Sequence, residues 1–112
     1  MKIKELINLL RINQWYKNLV IYLALVFSNL LFDKQLFLLT TLGFFSLCLI
    51  SSGNYIINDI IDRKKDLEHP EKKLRPIASN KISLTEGIFL TAILIFFSFT
   101  IAYLISLQFY YL

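Results

Sequence analysis

Asn58, Asp59, Asp62 and Asp66 fall in one run, Asn58-Asp59-Ile60-Ile61-Asp62-Arg63-Lys64-Lys65-Asp66. If that run is helical, a step of about 100° per residue puts all four within roughly 100° of arc. Asn58, Asp62 and Asp66, at i, i+4 and i+8, then stack along one face. Carboxylate and amide oxygens are hard ligands. They suit Mg2+, which keeps several waters and shares its shell with substrate phosphates. His69-Pro70 follows and stops the helix, because proline lacks the N–H and clashes with the preceding turn. Lys72, Lys73 and Arg75 then precede Pro76. A carboxylate face followed by a basic turn fits a metal-bridged diphosphate: the metal offsets part of the phosphate charge, and lysine and arginine hold the rest. A solvated helix end with mixed charges uses the same residue types, and spacing alone leaves both readings open.

The elements that must position these residues are apolar. The chain has 112 residues, 56% of them hydrophobic, and its charges sit in blocks between long uncharged runs. Asn18 to Phe32 and Gln35 to Asn58 carry no charge, nor does any residue after Gly87. A helix needs roughly 20 apolar residues to cross a bilayer. The pattern predicts an all-α membrane protein with three transmembrane helices, at 15–33, 35–58 and 84–110. Trp15 and Tyr16 extend the short first run into the headgroup level. Residues 1–14 read as an amphipathic interfacial segment, with Ile3, Leu6, Ile7 and Leu10 on one face and Lys2, Lys4 and Arg11 available to anionic headgroups. Residues 59–83 form the Asp-rich and basic loop. Ser83-Leu84-Thr85-Glu86 reads as a capping box opening the last helix.

The formal charge of +4 is no sign of nucleic-acid binding, because of where it lies. Lys2, Lys4, Arg11 and Lys17 precede or open the first span, Lys34 alone lies between the first two, and the other basic residues run from Arg63 to Lys81. By the positive-inside rule the N-terminus and the 59–83 loop are cytoplasmic, in the plasma membrane. Cys48 stands alone in an apolar run and reads as a buried small hydrophobe, which excludes a disulfide or thiolate-metal site. No Ala-x-Ala site follows the first apolar run, which argues against a cleaved signal peptide.

With these residues in place, the chain resembles the UbiA-type transferases. They carry Asn-Asp-x-x-Asp-x-x-x-Asp after their second helix, matched here by Asn58, Asp59, Asp62 and Asp66. The segment His69-Pro70-x-Lys72-x-x-Arg75-Pro76-Ile77-Ala78-Ser79 is similar to that family's loop. Arg11-x-x-Gln14-Trp15-x-Lys17-Asn18 adds a narrower resemblance to its decaprenyl-phosphate phosphoribosyltransferase branch. Asn80 departs from the glycine usual there, and asparagine tolerates the left-handed turn better than other non-glycine residues. The resemblance covers about the first third of a bundle of roughly nine helices.

The resemblance implies an Mg2+-dependent transferase of cell-wall lipid precursor biosynthesis. It moves 5-phosphoribosyl from phosphoribosyl diphosphate (PRPP), or another group from a diphosphate donor, onto a polyprenyl phosphate in the bilayer. Asn58, Asp62 and Asp66 would hold the metal, with Asp59 a weaker ligand set slightly aside. Lys17, Tyr55, Lys72 and Arg75 would bind the donor, and no protein nucleophile is needed. A snorkelling flank lysine and an interface tyrosine are the alternatives for Lys17 and Tyr55. Two rival functions stand beside this one. One is a prenyltransferase with a polyprenyl diphosphate donor and an aromatic or glycerol-phosphate acceptor. The other is a non-catalytic remnant that binds phosphate headgroups. A second chain supplying the missing helices is a further implied partner; nucleic acid is not one.

Overall fold

The computed structural model describes residues 2–110; Met1, Tyr111 and Leu112, of which Met1 opens the expected 1–14 segment, lie outside them. All regular structure among the described residues is helical. In chain order it comprises α1 (Ile3–Leu10), a 3-10 segment (Ile12–Tyr22), α2 (Leu23–Phe27), α3 (Lys34–Ile61), α4 (Arg63–Asp66), a 3-10 turn (Lys72–Leu74) and α5 (Leu84–Tyr110). The whole measures 50 × 24 × 22 Å, elongated along the two long helices.

Among the described residues two helices, not three, are long and apolar enough to cross a membrane: Lys34–Ile61 and Leu84–Leu107. The expected first span at 15–33 is corrected accordingly. Its residues wind as a 3-10 segment and then as the short helix α2, which ends at Phe27, two residues before Asn29. Asn29 takes a left-handed conformation (φ 60°), and the N–H groups of Leu30 and Asn29 close onto Leu25 O and Val26 O, a Schellman motif. The reason for the stretched winding lies in the partners. Trp15 Nε1 donates to Ser52 Oγ (2.9 Å), Asn18 Nδ2 to Cys48 Sγ (3.5 Å) and Tyr22 Oη to Thr41 Oγ1 (2.8 Å). From Trp15 to Tyr22 the chain advances about seven residues while its partners on α3 span about eleven. Eleven α-helical residues rise roughly 16 Å. Seven residues rise roughly 14 Å in a 3-10 helix but only about 10 Å in an α-helix. The tighter helix therefore lets successive polar side chains keep pace with α3.

α3 opens on Asp33, whose Oδ1 accepts from Leu36 N–H (3.0 Å), and α5 opens on the expected capping box. Ser83 N–H donates to Glu86 Oε1 (3.2 Å), and Glu86 N–H donates to Ser83 Oγ (3.1 Å). The two helices run antiparallel. Gly87 sits against Ile60 and Ile56, Gly53 against Leu94 and Ile95, and Gly43 against Ile105. Ser46 and Ser98 exchange hydrogen bonds midway, each hydroxyl reaching the other's carbonyl at 2.9 Å. Small residues that let helices approach, with a polar pair as adhesive, are the usual packing of helices in lipid.

The core lies at one end of this pair. Leu9 of α1, Ile56 of α3, Ile77 and Ile82 of the loop and Leu94 of α5 form one buried cluster. The amphipathic reading of α1 is thereby refined. Leu9 packs inward while Ile3 and Ile7 stay exposed, so the helix lies between the protein and its surroundings. Cys48 is fully buried, as its apolar surroundings suggest.

Candidate diphosphate-binding end

Regular α-helix is interrupted once in the Asp-rich run. α3 closes at Ile61, Asp62 adopts φ −92° and ψ 4°, and α4 begins at Arg63. Backbone bonds from Asp62 N–H to Asn58 O and from Asp66 N–H to Asp62 O persist across the interruption. The four acidic-motif residues separate into two pairs, as helical spacing allows, with Asp59 and Asp66 about 20° apart and Asn58 and Asp62 about 40° apart. Asn58 and Asp62 are exposed. Asp59 and Asp66 retain only 2% and 3% of their exposure.

Each buried carboxylate has an arginine. Arg11 Nη2 donates to Asp59 Oδ1 at 2.8 Å. Arg75 Nη1 donates to Asp59 Oδ1 at 3.4 Å and to Asp66 Oδ2 at 3.3 Å. Two carboxylates and two guanidinium groups thus balance, which buried charges require. Arg11 comes from the left-handed residue that ends α1 (φ 52°), and its guanidinium also stacks 4.5 Å from the Tyr55 ring centroid. Its neighbour Leu10 passes a carbonyl to Ser52 Oγ (2.6 Å), the same hydroxyl that accepts from Trp15. Ser52 therefore ties the end of α1 and the start of the 3-10 segment to α3.

The loop is built by local bonds. His69 Nδ1 accepts from Glu71 N–H and Lys72 N–H, both at 3.1 Å, and so caps the short turn Lys72–Leu74. Asn80 is left-handed (φ 62°), as its place in the loop predicts. Asp62, Lys65, Asp66, Glu68, His69, Pro70 and Lys72 line a concavity of about 270 Å3.

Of the sequence-predicted residues, Asp62, Asp66 and Lys72 meet at this concavity. Arg75 stands behind it, on Asp59 and Asp66. Tyr55 lies under Arg11, and Asn58 is open one turn before Asp62. Lys17 is exposed but does not line the concavity. Its neighbour Asn18 pairs with Cys48, ten residues from Asn58 and so roughly 15 Å along the helix axis. Arg11, a fixed position of the Arg11–Asn18 pattern, takes a structural role that its spacing did not announce. His69 and Lys65 also line the concavity; the i, i+3 spacing from Asp62 accounts for Lys65, and the turn after α4 for His69.

Among the described residues no three His, Cys, Asp or Glu side chains converge on one metal position. Of the four motif residues, Asn58 and Asp62 carry oxygens free of any ion pair or side-chain hydrogen bond among the described residues, and Glu68 in the concavity lining is likewise unpaired. Mg2+ is commonly held by one or two protein oxygens, with waters and substrate phosphates completing its shell. The residues present fit that mode and do not form an all-protein cage.

Comparison with known proteins adds a family. The family model described as "UbiA prenyltransferase family" matches residues 18–112. The uncharacterized protein y4nM of Sinorhizobium fredii is 40% identical over 85 residues, covering 76% of this chain and 16% of its own length. Decaprenyl-phosphate phosphoribosyltransferase of Mycolicibacterium smegmatis is 36% identical over 84 residues, 71% of this chain and 26% of its own. 4-Hydroxybenzoate octaprenyltransferase of Shewanella pealeana is 33% identical over 74 residues, 66% of this chain and 25% of its own. The chain thus spans about a quarter or less of the length of these curated relatives. No solved structure matches.

Proposed function

Since this chain belongs to the UbiA prenyltransferase family, we propose that its polar end is the donor-diphosphate part of a membrane transferase site, and that the whole protein moves 5-phosphoribosyl from PRPP to a polyprenyl phosphate. The observation that carries this reading is the meeting of the exposed carboxylate Asp62 with Lys72 in one 270 Å3 concavity, at the end of a helix able to cross a bilayer. The similarity to the phosphoribosyltransferase of Mycolicibacterium smegmatis supports the choice of donor and acceptor. The basic residues gathered from Arg63 to Lys81 support a cytoplasmic placement of this end.

Asn58 and Asp62 would hold Mg2+, which when bound offsets the charge of the diphosphate leaving group. Lys72 and Arg75 donate N–H groups to phosphate oxygens. Arg75 is suited to this because only its Nη1 is committed to Asp59 and Asp66. A guanidinium has five N–H donors, so Nε and Nη2 stay available. As the C1–O bond of the ribose breaks, negative charge collects on the departing pyrophosphate, and these donors stabilise it. A phosphate oxygen of the lipid acceptor forms the new bond to C1 from the bilayer side. Positioning and charge stabilisation supply the catalysis.

The octaprenyltransferase relative supports a second reading, a polyprenyl diphosphate donor. The full-length protein in lipid vesicles, offered radiolabelled PRPP with decaprenyl phosphate, is expected to form a labelled lipid. Transfer from a polyprenyl diphosphate with none from PRPP would replace the first reading by the second.

A further inference from the structure

We infer that Asp59 and Asp66 are positioning residues rather than metal ligands: with Arg11 they form an ionic clasp that aims Arg75 at the donor's phosphates. The inference rests on the reading of this end as a diphosphate site. Three observations carry it. First, both carboxylates are buried and paired, whereas Asn58 and Asp62 of the same motif are open. A metal taking Asp59 Oδ1 or Asp66 Oδ2 would displace arginine from a buried carboxylate and leave a guanidinium without its partner. Second, the two carboxylates divide one nitrogen of Arg75 between them, through Asp59 Oδ1 and Asp66 Oδ2. That commits Nη1 and leaves Nε and Nη2, the pair arginine uses for bidentate bonds to phosphate, without a bond to the described residues. Third, Asp59 is held in turn by Arg11, the closest of the pairs at 2.8 Å. Arg11 occupies a left-handed backbone conformation, an arrangement that persists only when surrounding contacts over-determine it. Here those contacts are Asp59 and the Tyr55 ring.

The clasp joins distant parts of the chain: α1, the end of α3, α4 and the loop. Charge in the acidic motif is thus divided by task. Asn58 and Asp62 carry the exposed oxygens, while Asp59 and Asp66, the latter also lining the concavity, hold the arginines.

The test uses the full-length protein in detergent, with Mn2+ binding followed by electron paramagnetic resonance and metal-free binding of inorganic pyrophosphate followed by calorimetry. Asp62→Asn is expected to weaken Mn2+ binding at least tenfold. Asp59→Asn and Asp66→Asn are expected to leave Mn2+ affinity within about threefold of wild type, yet to weaken pyrophosphate about tenfold, as Arg75→Met does. Combining Asp66→Asn with Arg75→Met is expected to add little to either single change, because both remove one interaction. Loss of Mn2+ binding in Asp66→Asn as deep as in Asp62→Asn would overturn the inference. So would additive losses of pyrophosphate in the double variant. Absence of Mn2+ binding by the wild type would instead sink the metal reading of Asn58 and Asp62; the pyrophosphate cycle then decides the clasp by itself. A variant that does not fold is replaced by Arg75→Lys, which keeps the charge, loses the fork and is expected to weaken pyrophosphate with Mn2+ affinity unchanged.

Discussion

Asp62 and Asp59 are three residues apart and have opposite surroundings. Asp62 is open beside Lys72, and Asp59 is buried beneath Arg11 and Arg75. Removing each should therefore fail in a different way. Asp62→Ala in the full-length protein is expected to abolish turnover while leaving thermal unfolding in detergent near wild type, because an exposed carboxylate contributes little to stability. Retained activity would remove the metal assignment. Lys17 poses a separate question. It is exposed next to Asn18, whose amide meets the span at Cys48. A lysine at membrane depth is costly unless it faces a polar cavity or reaches the interface. If it reaches the donor's sugar phosphate, a charge-assisted contact of about 1.5–3 kcal/mol is lost in Lys17→Ala, weakening PRPP binding roughly ten- to a hundredfold. Unchanged PRPP affinity at fixed polyprenyl phosphate would assign Lys17 to snorkelling.

At the scale of elements, the 3-10 segment and α1 depend on one hydroxyl. Ser52 Oγ donates to Leu10 O and accepts from Trp15 Nε1. Trp15→Phe removes one hydrogen bond and leaves Ser52 with a partner, at a cost of about 0.5–1.5 kcal/mol. Ser52→Ala strands two polar groups at once and is expected to cost more, since a buried group without a partner costs about 1–3 kcal/mol. Unfolding midpoints of the two variants in detergent give the order; equal losses would mean that water replaces the hydroxyl. The glycines of the long helices make a second contrast. A Cβ on Gly53 would meet Ile95 at 3.7 Å, ordinary contact, whereas one on Gly87 would meet Ile77 Cδ1 at 2.9 Å. Gly53→Ala should stabilise by roughly 0.4–1 kcal/mol through the unfolded chain. Gly87→Ala should lose that gain by pushing Ile77, a core residue, out of place. A stabilised Gly87→Ala variant would show that the loop yields freely.

For the whole molecule, two helices of spanning length run antiparallel, so both ends of the pair near Asp62 lie on one side. From the positive-inside rule we propose that this side is cytoplasmic, opposite the Asp33-Lys34 turn. With Lys73→Cys and Lys34→Cys introduced singly into a Cys48→Ala background, an impermeant maleimide applied to intact cells should modify position 34 and spare position 73 until the membrane is opened. Modification of position 73 alone would invert the topology. Residues 12–27 do not form a third helix of spanning length, yet they run antiparallel alongside α3 from Ser52 to Thr41.

Local patterns settled much of this from the sequence. The spanning helices followed from uncharged runs longer than the bilayer core is thick, because no tertiary contact is needed to make a charge costly in lipid. The Ser83–Glu86 box, the stop near His69-Pro70 and the left-handed Asn80 followed from bonds and steric limits within a few residues. The acidic motif was legible as a motif, and its four members as carriers of oxygen. Which members face a ligand was not legible. A step of about 100° per residue sets Asn58 and Asp62 about 40° apart and Asp59 and Asp66 about 20° apart, so the two pairs lay in the spacing, but which pair would be buried did not. Asp66 meets an arginine nine residues ahead, and Asp59 one 48 residues behind. The winding of residues 12–22 likewise answered to Ser52, Cys48 and Thr41, 19 to 37 residues away. Only the tertiary structure could decide these points, because a buried charge or hydroxyl is positioned by its partner, and the partner's distance along the chain leaves no trace in local spacing.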